Sequence, residues 1–217
     1  MKRNVLLFAA CTLLLGACQN DPKADQAKTG DAMTASASKG ASYNADLKQS
    51  MVTWTGTKPT GQHEGSMMLK SGAVTVDKDA VTGGKFDIDI ASIKTMDKDT
   101  NGSYKLMGHL QSPDFFDVAK FPTASFEITS VKAGVDTTGL IMKDANYTIM
   151  GNLTLKGVTK GISFPAKVAI TDASVTTDAN FNIDRTNWGL SYGNDESLKD
   201  HFIRPIVNIG LHIVANK

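Results

Sequence analysis

The 217-residue chain has only two cysteines, and both, Cys11 and Cys18, fall within its first eighteen residues. A disulfide framework for the rest of the chain is therefore excluded, and whatever folds must be held by its core. An excess of charge is also missing: 23 Lys and Arg stand against 22 Asp and Glu. That balance implies no strongly basic surface, so nucleic acid is not an expected partner. Catalytic signatures are absent as well. There is no Gly-x-Ser-x-Gly elbow, phosphate loop, dinucleotide fingerprint or zincin motif. His63, His109, His201 and His212 lack the His-x3-His spacing of a zinc site. Asp184 and the Asp195-Glu196 pair read as solvated turn carboxylates, so neither an enzyme nor a metal or cofactor site is expected.

Long apolar runs are scarce too. One, from Val5 to Leu15, follows Met1-Lys2-Arg3-Asn4 and is broken only by Thr12. It is too short to span a bilayer as a helix and has the form of a secretion signal. It ends in Leu15-Gly16-Ala17-Cys18, which resembles the bacterial lipobox; that resemblance implies cleavage before Cys18 and acylation of its thiol. The alternative, a buried N-terminal strand with incidental cysteines, leaves the positive start and the small-small-Cys ending to coincidence. The expected parts are residues 1–17 as a lipoprotein signal peptide, 18–42 as the lipidated cysteine and a flexible tether, and 43–217 as the folded domain. Cleavage removes Lys2 and Arg3, so 23 − 2 = 21 basic residues face 22 acidic ones. Acyl chains on Cys18, at about 0.8 kcal/mol per buried methylene, hold a protein stably on a membrane. Gln19 rather than Asp after the cysteine points to the outer membrane of a cell envelope. Residues 19–42 contain one large apolar side chain, Met33, which is too little apolar surface to offset the entropy of ordering. An exposed N-terminal helix is the competing reading of that stretch.

From about Tyr43 onward the dominant pattern has period two. Phe86, Ile88 and Ile90 alternate with Lys85, Asp87 and Asp89, and Tyr147 to Leu155, Ile162 to Ile170, Thr177 to Ile183 and Val207 to Ile213 behave alike. Val52 and Trp54 open the series. Each segment predicts a strand with one apolar face, separated by turns such as Val81-Thr82-Gly83-Gly84. At least eight such segments in one domain predict closure into an antiparallel barrel, which removes exposed edges. Between Ile93 and Lys120 the alternation fails. Leu106 and Leu110 stand four apart and Ser112-Pro113 can start a further turn, predicting a short helical crossover against the barrel.

The crossover string His109-Leu110-Gln111-Ser112-Pro113-Asp114-Phe115-Phe116-Asp117-Val118, followed by Phe121-Pro122-Thr123-Ala124-Ser125-Phe126, is similar to the signature of the YceI-like family of secreted bacterial proteins. So is the stretch from Gly151-Asn152-Leu153-Thr154 to Gly157-Val158-Thr159-Lys160, and so are Asp184-Arg185-Thr186-Asn187-Trp188-Gly189 and the last strand. The resemblance covers about Tyr43 to Ala215. It implies an all-β fold, an extended eight-stranded antiparallel lipocalin-like barrel, whose lumen holds a long apolar chain such as an isoprenoid, an isoprenoid quinone or a fatty acid or amide. One position departs from the family's pattern: many relatives carry Arg-Asp before the His-Leu of the crossover, where this chain has Met107-Gly108. That argues against a pyrophosphate head group, as does the presence of just two arginines, Arg185 and Arg204, after residue 17.

The expected ligand-binding set is Phe86, Ile88, Leu106, His109, Leu110, Phe115, Phe116, Phe126, Ile149, Leu153, Phe181 and Trp188, with Cys18 as the lipidation site. Several alternatives stay open at this level. Gly151, Ala166 and Ala179 on inward faces either make room for a ligand or relieve crowding. Met67, Met68, Met96, Met107, Met142 and Met150 are adaptable pocket residues or gap fillers. Phe115 and Phe116 line a pocket mouth or pin the crossover, Trp188 caps one end or packs as core, and His109 contacts a head group or is structural. The functions to be distinguished are an envelope lipid carrier, an interaction module with a filled barrel that binds protein or glycan, and, least supported, a lipid-acting enzyme. Expected partners are an apolar lipid and a membrane, with a homodimer left open.

Overall fold

The computed structural model describes residues 21–98 and 100–217. The expected signal segment and Cys18 lie outside the described residues. Three short strands come first, β1 (Asp25–Gln26), β2 (Lys28–Gly30) and β3 (Ala41–Ala45). Eight longer ones follow: β4 (Met51–Lys58), β5 (Gly61–Asp77), β6 (Ala80–Thr95), β7 (Thr123–Ala133), β8 (Tyr147–Leu155), β9 (Val158–Ile170), β10 (Ser174–Asp184) and β11 (Ile206–Asn216). From β4 onward each strand pairs antiparallel with the next, and β11 returns to pair with β4. The result is the closed eight-stranded antiparallel barrel that the alternation predicts. β3 extends the β4 position, pairing with both β11 and β5.

The helix α1 (Thr100–Gln111) joins β6 to β7, and two 3-10 turns, Arg185–Trp188 and Glu196–His201, join β10 to β11. Strand alternation puts all of these at one end of the barrel, the crossover end. The far end carries the turns at 78–79, 134–146 and 171–173. Lys78 and Asp79 both have positive φ, as do Lys156 and Gly157; these are the two-residue turns whose twist matches paired strands. The turn expected at Val81-Thr82-Gly83-Gly84 lies instead inside β6. Glycine is needed there for close approach rather than for turning, since a Cβ on Gly84 would meet the Ala73 carbonyl oxygen at 2.8 Å.

The expected flexible tether needs a larger correction. β9 and β10 pair at only four positions, Lys167 to Ile170 against Asp178 to Val175, and part toward the crossover end. Into that cleft the chain inserts residues 25–30. β1 pairs parallel with β10 at Phe181 and Asn182, and β2 pairs antiparallel with β9 from Gly161 to Ser163. Ala27 between them is buried in the core. Asn182 Nδ2 donates to the Pro22 carbonyl at 2.7 Å, and the Asp25 carboxylate accepts from the N–H groups of Ile141 and Met142 at 2.7 and 2.9 Å. Further along, the Asn152 amide accepts from Met33 N–H at 2.8 Å and donates to its carbonyl at 2.7 Å. Residues 22–33 form a strap bound to the barrel wall. Composition misjudges it because the strap is held by backbone pairing and amide or carboxylate side chains, which need few apolar residues.

Candidate functional site

Inward positions of the eight strands enclose a cavity of about 360 Å³, toward the lower end of the roughly 300–1,000 Å³ usual for ligand pockets. Its walls are aliphatic and aromatic. Phe164 stacks on Phe181 with ring centroids 4.0 Å apart, and Phe126 is tilted against Phe164 at 5.8 Å. Glycines seat some of these rings. A Cβ on Gly65 would fall within 2.7 Å of the Trp54 ring, and one on Gly151 within 2.3 Å of Phe126. Gly151 thus accommodates a neighbouring aromatic rather than opening space, and neither it nor Ala166 and Ala179 lines the cavity.

Polarity is confined almost wholly to the crossover end. Trp54, Thr57 and Lys58 line it from β4, His63 from β5, His109 from α1, and Arg185 from the 3-10 turn after β10; nearer the far end the polar lining residue is Thr177. No Asp or Glu is among the lining residues. His63 Nδ1 lies 2.6 Å from Asp97 Oδ2. Partial burial pushes the Asp97 carboxyl up, but hydrogen bonds with His63 and Thr95 outweigh this and hold it below the ordinary carboxylate range. His109 Nε2 is 3.3 Å from Asp114 Oδ2, and its ring meets Phe115 and Tyr192 edge-on at 5.0 and 4.6 Å.

Arg185 is buried beneath this cluster. It donates to the carbonyls of Arg204 (3.2 Å), Tyr192 (2.9 Å), Ile203 (2.7 Å) and Leu190. Its guanidinium also lies 5.6 Å from the Phe115 ring centre. Burial pushes it down to about 10, partly offset by the charge of Asp184. Arg185 therefore ties the loop 189–205 across the barrel end by bonding its carbonyls.

Eleven of the twelve expected ligand-binding residues line the cavity: Phe86, Ile88, Leu106, His109, Leu110, Phe115, Phe116, Phe126, Ile149, Leu153 and Phe181. Trp188 does not. It is fully enclosed, with Nε1 donating to the Leu153 carbonyl at 2.9 Å, and so packs the 3-10 turn against β8. Of the six methionines singled out, only Met67 reaches the cavity, whereas Met68 and Met96 are about half exposed. Phe115 and Phe116 line the lumen and also sit in the turn that fixes the crossover, where Phe116 N–H donates to the Leu110 carbonyl at 3.1 Å.

The sequence reading missed the polar end. Trp54, Gly56 and Lys58 continue the period-two face begun by Val52, and His63 is the register partner of Gly56; the alternation stood there to be read one residue pair further. Among the described residues no three His, Cys, Asp or Glu converge as a metal site would require.

Comparison with known proteins places this geometry. The family model described as YceI-like domain matches residues 43–215. The "UPF0312 protein" of Pseudomonas aeruginosa strain LESB58 is 44% identical over 77 residues, which is 36% of this chain and 35% of that protein. A "UPF0312 protein" of Yersinia pestis strain Pestoides F is 41% identical over 76 residues, or 35% of this chain and 34% of that one. The chain thus spans only about a third of the length of these curated relatives. The crystal structure of Burkholderia cenocepacia BcnA superposes with a TM-score of 0.61 at 24% identity, covering 79% of this chain and 99% of that one. A polyisoprenoid binding domain from Saccharophagus degradans, described as implicated in plant cell wall breakdown, superposes with a TM-score of 0.59 at 15% identity, covering 80% and 97%. At these identities the two structures establish a shared fold.

Proposed function

The chain belongs to the YceI-like domain family, and from that premise we propose that it binds a long-chain amphiphilic lipid in its barrel and sequesters or carries it within the cell envelope. One observation carries the reading: an apolar cavity of about 360 Å³ with its polar groups gathered at one end. That is the form an apolar chain with a single polar head would fill, with burial of apolar surface at roughly 25 cal/mol per Å² supplying affinity. The fold shared with a polyisoprenoid binding domain supports the same choice, and the cavity weighs against a filled barrel acting as an interaction module. Taking the ~30 Å³ of a water in the liquid as a methylene-sized unit, the volume holds about a dozen chain atoms. An isoprenoid longer than that has to emerge at the crossover end or displace lining side chains.

The anchor is part of the proposal. Acylation of Cys18 would hold the protein on a membrane, the outer one by the residue after the cysteine. Pro22 is bonded to the barrel wall through Asn182, and four residues reach at most about 14 Å, so the anchor would keep that wall close to the bilayer. Native mass spectrometry of the protein purified from cells tests the carrier reading. Co-purified lipid, or uptake of an isoprenoid quinone or fatty amide, is expected; a protein that arrives empty and takes up neither refutes it. Cys18→Ser should move the protein out of the membrane fraction, and unchanged fractionation refutes the anchor.

A further inference from the structure

The barrel wall is weakest along one seam. β9 and β10 share four register positions, all near the far end, whereas the other neighbouring pairs of the eight long strands share six or more. Toward the crossover end the gap is filled by residues 25–30, which pair with β10 at two positions and with β9 at three. Within that segment Ala27 is the one apolar side chain. The rest of its hold is backbone pairing and hydrogen bonds such as those of Asn182 and Asp25. Each of these nets little against water, so the segment can detach at far lower cost than strands joined through core side chains. Its seat is nonetheless specific, since a Cβ on Gly161 would meet the Asp31 carbonyl oxygen at 2.5 Å. On the lumen side of the same gap, Ile162 and Phe164 of β9 and Phe181 and Ile183 of β10 line the cavity, and the Phe164 and Phe181 rings stack across it at 4.0 Å. Both barrel ends are covered. Arg185 ties the loop 189–205 over the crossover end, and at the far end the buried Tyr43 donates to the Thr171 or Asp172 carbonyl at 3.4 or 3.3 Å.

We propose that this seam is a lateral port through which an apolar lipid chain passes between a bilayer and the lumen, with residues 25–30 as its removable closing strand. The proposal rests on the lipid-carrying reading and gives that lipid its route. Release of the segment leaves β9 and β10 joined at four positions and lets them part from the crossover end, with α1 and the loop 189–205 left in place. The flanking pairs β8–β9 and β10–β11, joined at nine and eleven positions, keep the barrel whole. Water at the bilayer surface satisfies the freed N–H and C=O groups until the segment returns. A lateral opening lets an apolar chain slide from bilayer to lumen without exposing its length to water. Under the proposed acylation of Cys18, the port lies on the wall that the anchor keeps near the membrane.

The test is a reversible staple. Lys28 and Ser163 are register partners, and paired antiparallel residues stand about 4.5–5.5 Å apart at Cα, within reach of a disulfide. Lys28→Cys with Ser163→Cys, on the full chain carrying Cys11→Ser and Cys18→Ser so that no other thiol remains, locks the segment to β9 when oxidised and frees it when reduced. Phosphatidylcholine vesicles loaded with cis-parinaric acid or a ubiquinone of two isoprene units serve as donors, and uptake is followed by probe fluorescence or by quenching of tryptophan. Oxidation should slow uptake about tenfold or more, an added barrier of at least about 1.4 kcal/mol, with affinity unchanged and the rate restored by dithiothreitol. Asn182→Ala, which removes the amide donor to the Pro22 and Ala24 carbonyls, should speed uptake about fivefold in the unstapled chain. Equal rates in oxidised and reduced forms overturn the port and leave the carrier reading standing. Slowing matched by an equal loss of affinity also overturns the port, because the staple then acts on the lumen rather than on passage. Uptake of neither probe by the unstapled chain overturns the carrier reading and the port with it. Where the staple fails to form, an unchanged rate in Asn182→Ala overturns the port.

Discussion

Asn152→Ala is the sharpest probe of the strap. Its side-chain amide makes two hydrogen bonds to the backbone of Met33, at 2.8 and 2.7 Å, in a partly buried setting. Neutral hydrogen bonds contribute about 1 kcal/mol each, so the substitution should cost about 2 kcal/mol. For a domain of this size 1 kcal/mol corresponds to roughly 2–4 °C, giving an expected fall in Tm of about 4–8 °C. The cost has a ceiling, because a strap that has already detached has nothing further to lose. A double-mutant cycle uses that ceiling: Asn152→Ala is measured by thermal unfolding in the full protein and again after deletion of residues 19–33. Its cost should vanish in the shortened background, since Met33 is gone. Hydrogen exchange should report protection at Lys28–Gly30 in the full protein, reduced by the substitution. An equal Tm loss in both backgrounds would show that Asn152 stabilises the barrel by another route, and no loss in the full protein would show that residues 22–33 are not docked.

Three further outcomes follow from the same geometry. Thr177→Phe adds bulk near the far end of the lumen, where Thr177 is the polar lining residue, and should shift the preferred chain length downward in a ligand series; an unchanged preference would mean the chain does not reach that level. Arg185→Lys replaces a fork that bonds four carbonyls by a single ammonium and should cost about 2–4 kcal/mol in denaturant unfolding, with a wild-type midpoint contradicting its tie role. Asp97 has its carboxyl lowered below the unfolded value, so its stabilisation is present above about pH 4 and is lost as pH falls through the lower folded value. Tm measured against pH should therefore show wild type and Asp97→Asn separated near neutrality and converging in acid, and a constant gap would contradict the assignment.

Much of the barrel was legible because alternation is a local property. The inward phase of Phe86 and Ile88, of Ile149 and Leu153, and of Phe181 is decided by pleat geometry once the segment is a strand, which is why these side chains reach the lumen. The crossover was legible from Leu106 and Leu110 at one helical turn's spacing. Trp188 was misread because no strand carries it: it stands in a 3-10 turn, where alternation says nothing about direction, and the Leu153 carbonyl decides its place. Glycines gave no sign of their partners either, because the ring above Gly65 belongs to the neighbouring strand.

From sequence alone came a disulfide-free, charge-balanced domain of alternating strands with a helical break, and hence an all-β barrel with an apolar interior. Those conclusions need only residue order and the period of a strand. The tertiary structure decided what depends on contacts between distant residues: that residues 25–30 fill the cleft between β9 and β10, that Gly65 and Gly151 seat the rings of Trp54 and Phe126, and that the polar lining residues gather at one end of the lumen. A segment with few apolar residues can still be ordered when strand edges offer it backbone partners, and which polar groups share an end of a barrel is decided only once the strands have paired. Cys11 and Cys18 lie outside the described residues, and the domain they precede is held by its core and its ladder hydrogen bonds.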